Sequence, residues 1–208
     1  MFSPCLILAA LLTNCADVAS SVFAQRIGDA FDLTGQVIVR DHDNDPVLQI
    51  TDSTGSEQIM GVRHVVKPLP FKSGDIIRAT GVVDVPFDST TKRATTICKS
   101  VQLISKGELP PPIRVSASDV ASGKFHSRYV VVRGRIQRIF RDEISSKWLY
   151  VSLCTSDGIV FMTTKSDSAV KEAVRRLVDA EIDAKGILSL SITSFRRMFG
   201  YTLSNHNF

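Results

Sequence analysis

Five side chains carry the most specific chemistry in this 208-residue chain: Arg133, Arg135, Gln137, Trp148 and Tyr150. The first three alternate along one apolar stretch and the two aromatics alternate along the next. Alternation places Trp148, Tyr150 and Ser152 on one side of a strand and Leu149, Val151 and Leu153 on the other. The aliphatic side must face a core. On the preceding stretch Val130, Val132 and Ile136 take the inward positions, leaving Arg133, Arg135 and Gln137 outward. Aromatic faces beside guanidinium groups can stack planar ligands and hold phosphates. They can equally anchor a protein surface, or pack one domain on another with Arg laid across a ring. Packing or a protein partner ranks first among these expectations, a small ligand second and nucleic acid third.

No catalytic constellation competes with that surface. The chain has no GxSxG, HExxH, P-loop or GxGxxG pattern. His42, His64, His126 and His206 lack metal-ligand spacing, and the four cysteines form no CxxC pair. The Asp41-His42-Asp43-Asn44-Asp45 run resembles a calcium loop, but Pro46 stands where the loop needs a sharply turning Gly. It reads as a hairpin turn. The expectation is a non-enzyme without cofactor or metal.

The elements that must position these residues come in two copies. Ala16-Asp17-Val18-Ala19-Ser20 answers Ser118-Asp119-Val120-Ala121-Ser122, and Thr34-Gly35-Gln36-Val37-Ile38-Val39-Arg40 answers Arg133-Gly134-Arg135-Ile136-Gln137-Arg138-Ile139. The first copy gives strand signals at 33–40, 47–52, 58–62, 76–85 and 95–103, separated by turn-forming residues. The second gives them at 129–140, 148–153, 159–163, 180–188 and 199–203, with a helix over 168–178 after Asp167 as its cap. Five short strands at this spacing predict a mainly β chain of two tandem five-stranded OB-fold-like barrels, the second with a helix between strands three and four. The prolines at 68 and 70 leave only a short helix, or none, at the equivalent place in the first. Gly134 is the expected bend of the long strand, and superposition is expected to lay 33–40 on 131–138 and Asp17-Val18 on Asp119-Val120.

The implied domains are 13–105 and 115–208, joined by a Pro-rich linker over 106–114 that includes Pro110-Pro111-Pro112. Residues 1–12 form an apolar run too short to span a membrane, and read as a curtailed export signal. Charge is uneven. Residues 106–208 hold sixteen Lys/Arg against ten Asp/Glu, a balance of +6, while 1–31 and 32–105 each stand at −1. Polyanion binding therefore belongs to the second half, if anywhere.

One resemblance extends this reading. The series Gly74-Asp75-Ile76-Ile77-Arg78-Ala79-Thr80-Gly81, Gly107-Glu108-Leu109-Pro110, Val115-Ser116, Asp119-Val120, Ser122-Gly123 and Tyr129-Val130-Val131-Val132-Arg133-Gly134-Arg135-Ile136 is similar to tandem OB-like repeats. The closing Arg196-Arg197-Met198-Phe199-Gly200-Tyr201-Thr202-Leu203 resembles the last strand of such a repeat. Together they resemble the extracytoplasmic sensory regions of bacterial two-component sensor histidine kinases. The resemblance implies a periplasmic, non-catalytic binding or signal-input module, a fragment or relative of such a sensor. The alternative is a single-stranded nucleic-acid-binding OB-fold protein using the second barrel.

Overall fold

A computed structural model describes residues 11–40, 48–60, 71–85, 94–141, 146, 148–192 and 198–204. The calcium-like loop, the 63–70 interval and His42, His64 and His206 lie outside the described residues. The chain divides into two compact units, Met1–Pro110 and Pro111–Phe208.

The first unit runs β1 (Leu11–Leu12), α1 (Cys15–Phe23), β2 (Ala30–Arg40), β3 (Leu48–Thr51), β4 (Ser56–Met60), β5 (Ile76–Asp84) and β6 (Thr95–Ser105). The second runs β7 (Ile113–Arg114), α2 (Ala117–Ser122), β8 (Tyr129–Arg141), β9 (Trp148–Cys154), β10 (Ile159–Lys165), α3 (Ser168–Arg176), β11 (Glu181–Ile192) and β12 (Met198–Ser204). Each is an OB-fold-like barrel. The long first strand pairs with both the second and the fourth, β2 with β3 and β5, and β8 with β9 and β11. The third strand closes in parallel on the fifth, β4 on β6 and β10 on β12. A further short strand, β1 or β7, runs parallel to the first residues of the long one.

Alternation builds both interiors. Phe31, Leu33, Val37, Leu48, Ile50, Ile59, Ile77 and Ala79 fill the first barrel. Val130, Val132, Ile136, Val151, Leu153, Val160, Met162 and Leu188 fill the second. In the second, α3 adds the buried Val174, with Val170 and Leu177 packed beside it. Its N-cap is Asp167, whose side chain accepts the Val170 N–H at 2.7 Å.

The lead-in helices place a side-chain acceptor on each of their first three backbone donors, which a helix end otherwise leaves orphaned. Asp52 accepts the Cys15 N–H at 2.8 Å, Thr54 Oγ1 accepts that of Ala16 at 3.1 Å, and Asn14 accepts that of Asp17 at 2.9 Å. In the second unit Asp157 accepts the N–H groups of Ala117 and Ser118 at 3.2 and 3.0 Å, and Ser116 accepts that of Asp119 at 3.1 Å. The turn that does this is Asp52-Ser53-Thr54-Gly55 in one unit and Thr155-Ser156-Asp157-Gly158 in the other. The Asp and Thr have exchanged places. Both carboxyls are held below the usual carboxylate range. At Asp157, backbone donors from Ser118 and Ala117 pull the value down to about 2. At Asp52, burial pushes upward but is outweighed by the Thr54 hydroxyl and by N–H groups of Cys15, Thr54 and Gly55.

Three expectations need correcting here. The long strand bulges one turn of the ladder later than Gly134. Ile136 faces Leu153 and Arg138 faces Ser152, so Gln137 is the extra residue. The first barrel repeats this between Val37 and Val39. Gly134 serves close approach instead: a Cβ there would stand 3.0 Å from the Cys154 carbonyl oxygen, and one on Gly35 would stand 2.5 Å from that of Thr51. These equivalences make the superposition 33–40 on 132–139, one residue from the expected alignment, while Asp17-Val18 does match Asp119-Val120 through the shared caps. Finally, the apolar run does not end outside the fold. Leu11–Leu12 pairs with Ala30 and Phe31, and Leu12 is buried in the first core.

The Pro-rich segment is divided between the units. The Gln36 side chain donates to the Gly74 and Glu108 carbonyls at 2.7 and 2.6 Å, and Lys106 pairs with the fully buried Asp75 at 3.0 Å. Ile113–Arg114 belongs to the second sheet.

Candidate functional site

The bulge at Gln137 decides what the second barrel presents. Beyond it the inward and outward positions of β8 exchange, so Ile139 packs on the core while Arg138 and Phe140 turn outward. The ladder then sets out the outer face of β8, β9 and β10 in rows. Arg135, Cys154 and Ile159 form one row, and Arg138, Ser152 and Phe161 the next. Phe140, Tyr150 and Thr163 form the third, with Trp148 opposite Lys165 beyond it. Cross-strand neighbours in such rows stand about 5 Å apart, close enough for rings to touch.

They do touch. Phe140 and Tyr150 lie stacked, ring centres 5.4 Å apart and planes at 8°. Phe161 meets Phe140 edge-on at 6.2 Å and 83°. Next to this aromatic cluster lies an open cleft of about 520 Å³, lined by Gln137, Arg138, Ile139, Phe140, Ser152, Ile159 and Phe161. That volume is within the range of small-molecule sites, about 300–1,000 Å³. Phe140 and Ile159 remain 42% and 54% exposed, large for apolar side chains on an otherwise closed barrel.

One cation borders the cluster: Arg138 is exposed at the cleft, whereas Arg141, exposed at the end of β8, is in register with the core residue Leu149 and so stands on the other side of the sheet from Phe140. The Lys171 ammonium, on α3, is pulled below its ordinary value by the positive charges of Arg141 and Arg175. Arg176 is held by Glu172 on the same helix at 3.2 Å.

The five candidate residues are thus divided. Gln137 lines the cleft, Tyr150 is half of the ring stack, and Trp148 sits one row further along the same face, half-buried. Arg133 and Arg135 are not beside the aromatics. Arg133 donates to Glu181 of β11 at 2.8 Å, in a ladder with the Arg114–Asp183 pair at 3.1 Å, and Arg135 stands two rows from Tyr150. Sequence reasoning missed Phe140 and Arg138 because the bulge reversed their facing. Phe161 was legible, since Val160 and Met162 on either side of it are core residues.

The first barrel offers no such surface among its described residues. Gln36 is committed to the Gly74 and Glu108 carbonyls, and Thr51 donates to the Gly55 carbonyl at 2.8 Å. His126, the histidine within the described residues, sits edge-on to Tyr201 at 5.6 Å, and burial lowers its pKa. No cluster of three potential metal ligands occurs among the described residues. No helix among them is long and apolar enough to cross a membrane.

No family model matches the chain, and no curated protein matches it. Solved structures do. A replication protein A heterotrimer bound to single-stranded DNA aligns over 85% of this chain and 47% of its own, at 11% identity and a TM-score of 0.41. This chain thus spans about half of that one. A murine DNA-binding protein bound to double-stranded DNA aligns over 84% and 93%, at 10% identity and 0.37. A variant of the single-stranded DNA-binding protein from Thermus aquaticus aligns over 85% and 90%, at 9% and 0.29. At such low identity no residue of those proteins' sites carries over. None of these three structures is a sensory region, and the likeness concerns the fold alone; the resemblance to sensor histidine kinases, with the signal-input function and periplasmic placement it implied, is withdrawn. The end of the apolar run read as an export signal is a strand of the first barrel.

Proposed function

We propose that the second unit binds single-stranded nucleic acid across the outer face of β8, β9 and β10, as a binding module without catalysis. The observation that carries the reading is the Phe140–Tyr150 stack with Phe161 at its edge, on the strand 2–3 face that OB barrels use for oligonucleotides. Exposed rings on a barrel surface give unpaired bases a platform that any base can stack on. Arg138 at the cleft supplies charge for a phosphate backbone. The +6 balance of residues 106–208 acts in the same direction. Arg133 takes no part, being held by Glu181.

The test is the anisotropy of a labelled oligonucleotide titrated with the full chain at several salt concentrations. Saturable binding that weakens linearly in log–log form with salt is expected. Absence of saturable binding at low ionic strength would overturn the reading.

A further inference from the structure

The strongest unexplained atom in the molecule is the hydroxyl of Ser152. It is a core-depth group, 4% exposed, on the outward side of β9, and its oxygen has no hydrogen-bond partner among the described residues. Buried polar groups are nearly always paired, so one left unpaired on the floor of a cleft marks a place where a ligand atom belongs. Its row neighbours are Arg138 and Phe161, and Gln137 completes the polar lining.

Resting on the nucleic-acid reading above, we propose that this cleft selects one base, guanine, by reading its edge while the rings hold its face. The walls, Phe140, Phe161, Ile139 and Ile159, are apolar and indifferent to base identity. The polar groups are not. Arg138 can only donate, whereas the Ser152 hydroxyl and the Gln137 amide can donate or accept. Guanine presents two adjacent acceptors, N7 and O6, which suit an arginine fork, leaving its remaining donors to the adaptable pair. Adenine places an amino donor where guanine has O6, and cytosine presents its N4 amino group, so each sets a donor against Arg138. Thymine and uracil, with keto oxygens, rank between. A site that must leave its polar groups unpaired rejects the wrong ligand strongly, whereas a stacking surface does not.

Oligonucleotides of about 12 nucleotides, inside the span of one barrel, decide the matter when made of deoxyinosine, thymidine, deoxyadenosine or deoxycytidine. Inosine keeps N7 and O6 and avoids the self-association of guanine runs. The full chain is expected to bind the inosine strand roughly tenfold more tightly than the adenine or cytosine strand, the scale of one good bidentate contact. Replacing inosine with its 7-deaza form should remove most of that advantage. Ser152→Ala and Arg138→Gln should narrow the inosine-to-adenine ratio, and Ser152→Ala should melt no lower than the natural chain, since it removes an unpaired hydroxyl. Equal binding of all four strands overturns base selection and leaves the nucleic-acid reading intact. A preference unchanged in both variants overturns it as well. Failure to bind any strand overturns both.

Discussion

Replacing Phe140 with Ala separates stacking from charge on one surface. The ring is 42% exposed, so its removal takes little from the core, whose neighbouring contribution comes from Ile139. The stack on Tyr150 is lost, a destabilisation of about 0.5–1.5 kcal/mol for an aromatic pair in good geometry. The fold should therefore survive with a slightly lower melting temperature. In binding, a base stacked on an aromatic side chain contributes roughly 1–3 kcal/mol, so the dissociation constant should rise about 5- to 150-fold. The salt dependence supplies the control. Phe140 touches no phosphate, so the slope of log affinity against log salt should be that of the natural chain. Arg141→Gln, on the Leu149 side of the sheet and away from the rings, should leave both affinity and slope close to those of the natural chain. Both variants are read by anisotropy over a salt series, with circular dichroism to confirm folding. A folded Phe140→Ala chain with unchanged affinity would refute the aromatic face as the site, whatever the charges do.

Two further outcomes concern the fold. Asp157, at about 2, has its folded value depressed below the unfolded carboxylate range near 3.9, so its stabilisation is present above that range and vanishes as pH falls through about 2. Asp157→Asn should melt below the natural chain at neutral pH, with the gap closing between about pH 4 and 2; a constant gap would contradict the capping role. Gly35→Ala should lower the urea midpoint more than Gly134→Ala, because its Cβ would meet a backbone oxygen at 2.5 Å rather than 3.0 Å. Overpacking of this kind costs about 1–3 kcal/mol, and the opposite order would mean the two long strands bend differently than described.

Much of the architecture was legible because period-two alternation and turn residues repeat in both halves. Leu149, Val151 and Leu153 against Trp148, Tyr150 and Ser152 gave the inner and outer faces of β9 correctly. The helix after Asp167 was announced by its cap and its apolar spacing. Alternation failed where the chain breaks its own period. One extra residue at Gln137 reverses every later position on β8, and no local composition marks it, since Gln-Arg-Ile continues the strand pattern. Unbroken alternation past Ile136 would turn Arg138 and Phe140 inward, where the structure has them outward. Arg133 was read as an outward neighbour of the aromatics because its cross-strand partner Glu181, 48 residues away, cannot be seen in a linear pattern. The short strand Leu11–Leu12 was hidden inside a run whose hydrophobicity also fits an export signal, and its partner β2 lies beyond a helix.

The exchanged turn gives the two halves an engineering property of their own. Asp52-Ser53-Thr54-Gly55 and Thr155-Ser156-Asp157-Gly158 receive the same helix end differently: Asp52 and the Thr54 hydroxyl take one donor each, whereas Asp157 takes both and the Thr155 hydroxyl donates to Asp157 and to the Gly158 carbonyl. Each closes on itself through the same backbone bond, Asp52 N–H to the Gly55 carbonyl at 2.9 Å and Thr155 N–H to the Gly158 carbonyl at 2.8 Å. Passing from one order to the other by single substitutions requires an intermediate with two carboxylates or with none, the first crowding like charges and the second leaving donors bare. The two solutions are therefore separated by a barrier in sequence although they are interchangeable in space. Transplanting all four residues together should be silent where either single exchange is costly, and that makes the turn a portable latch between a helix and its barrel.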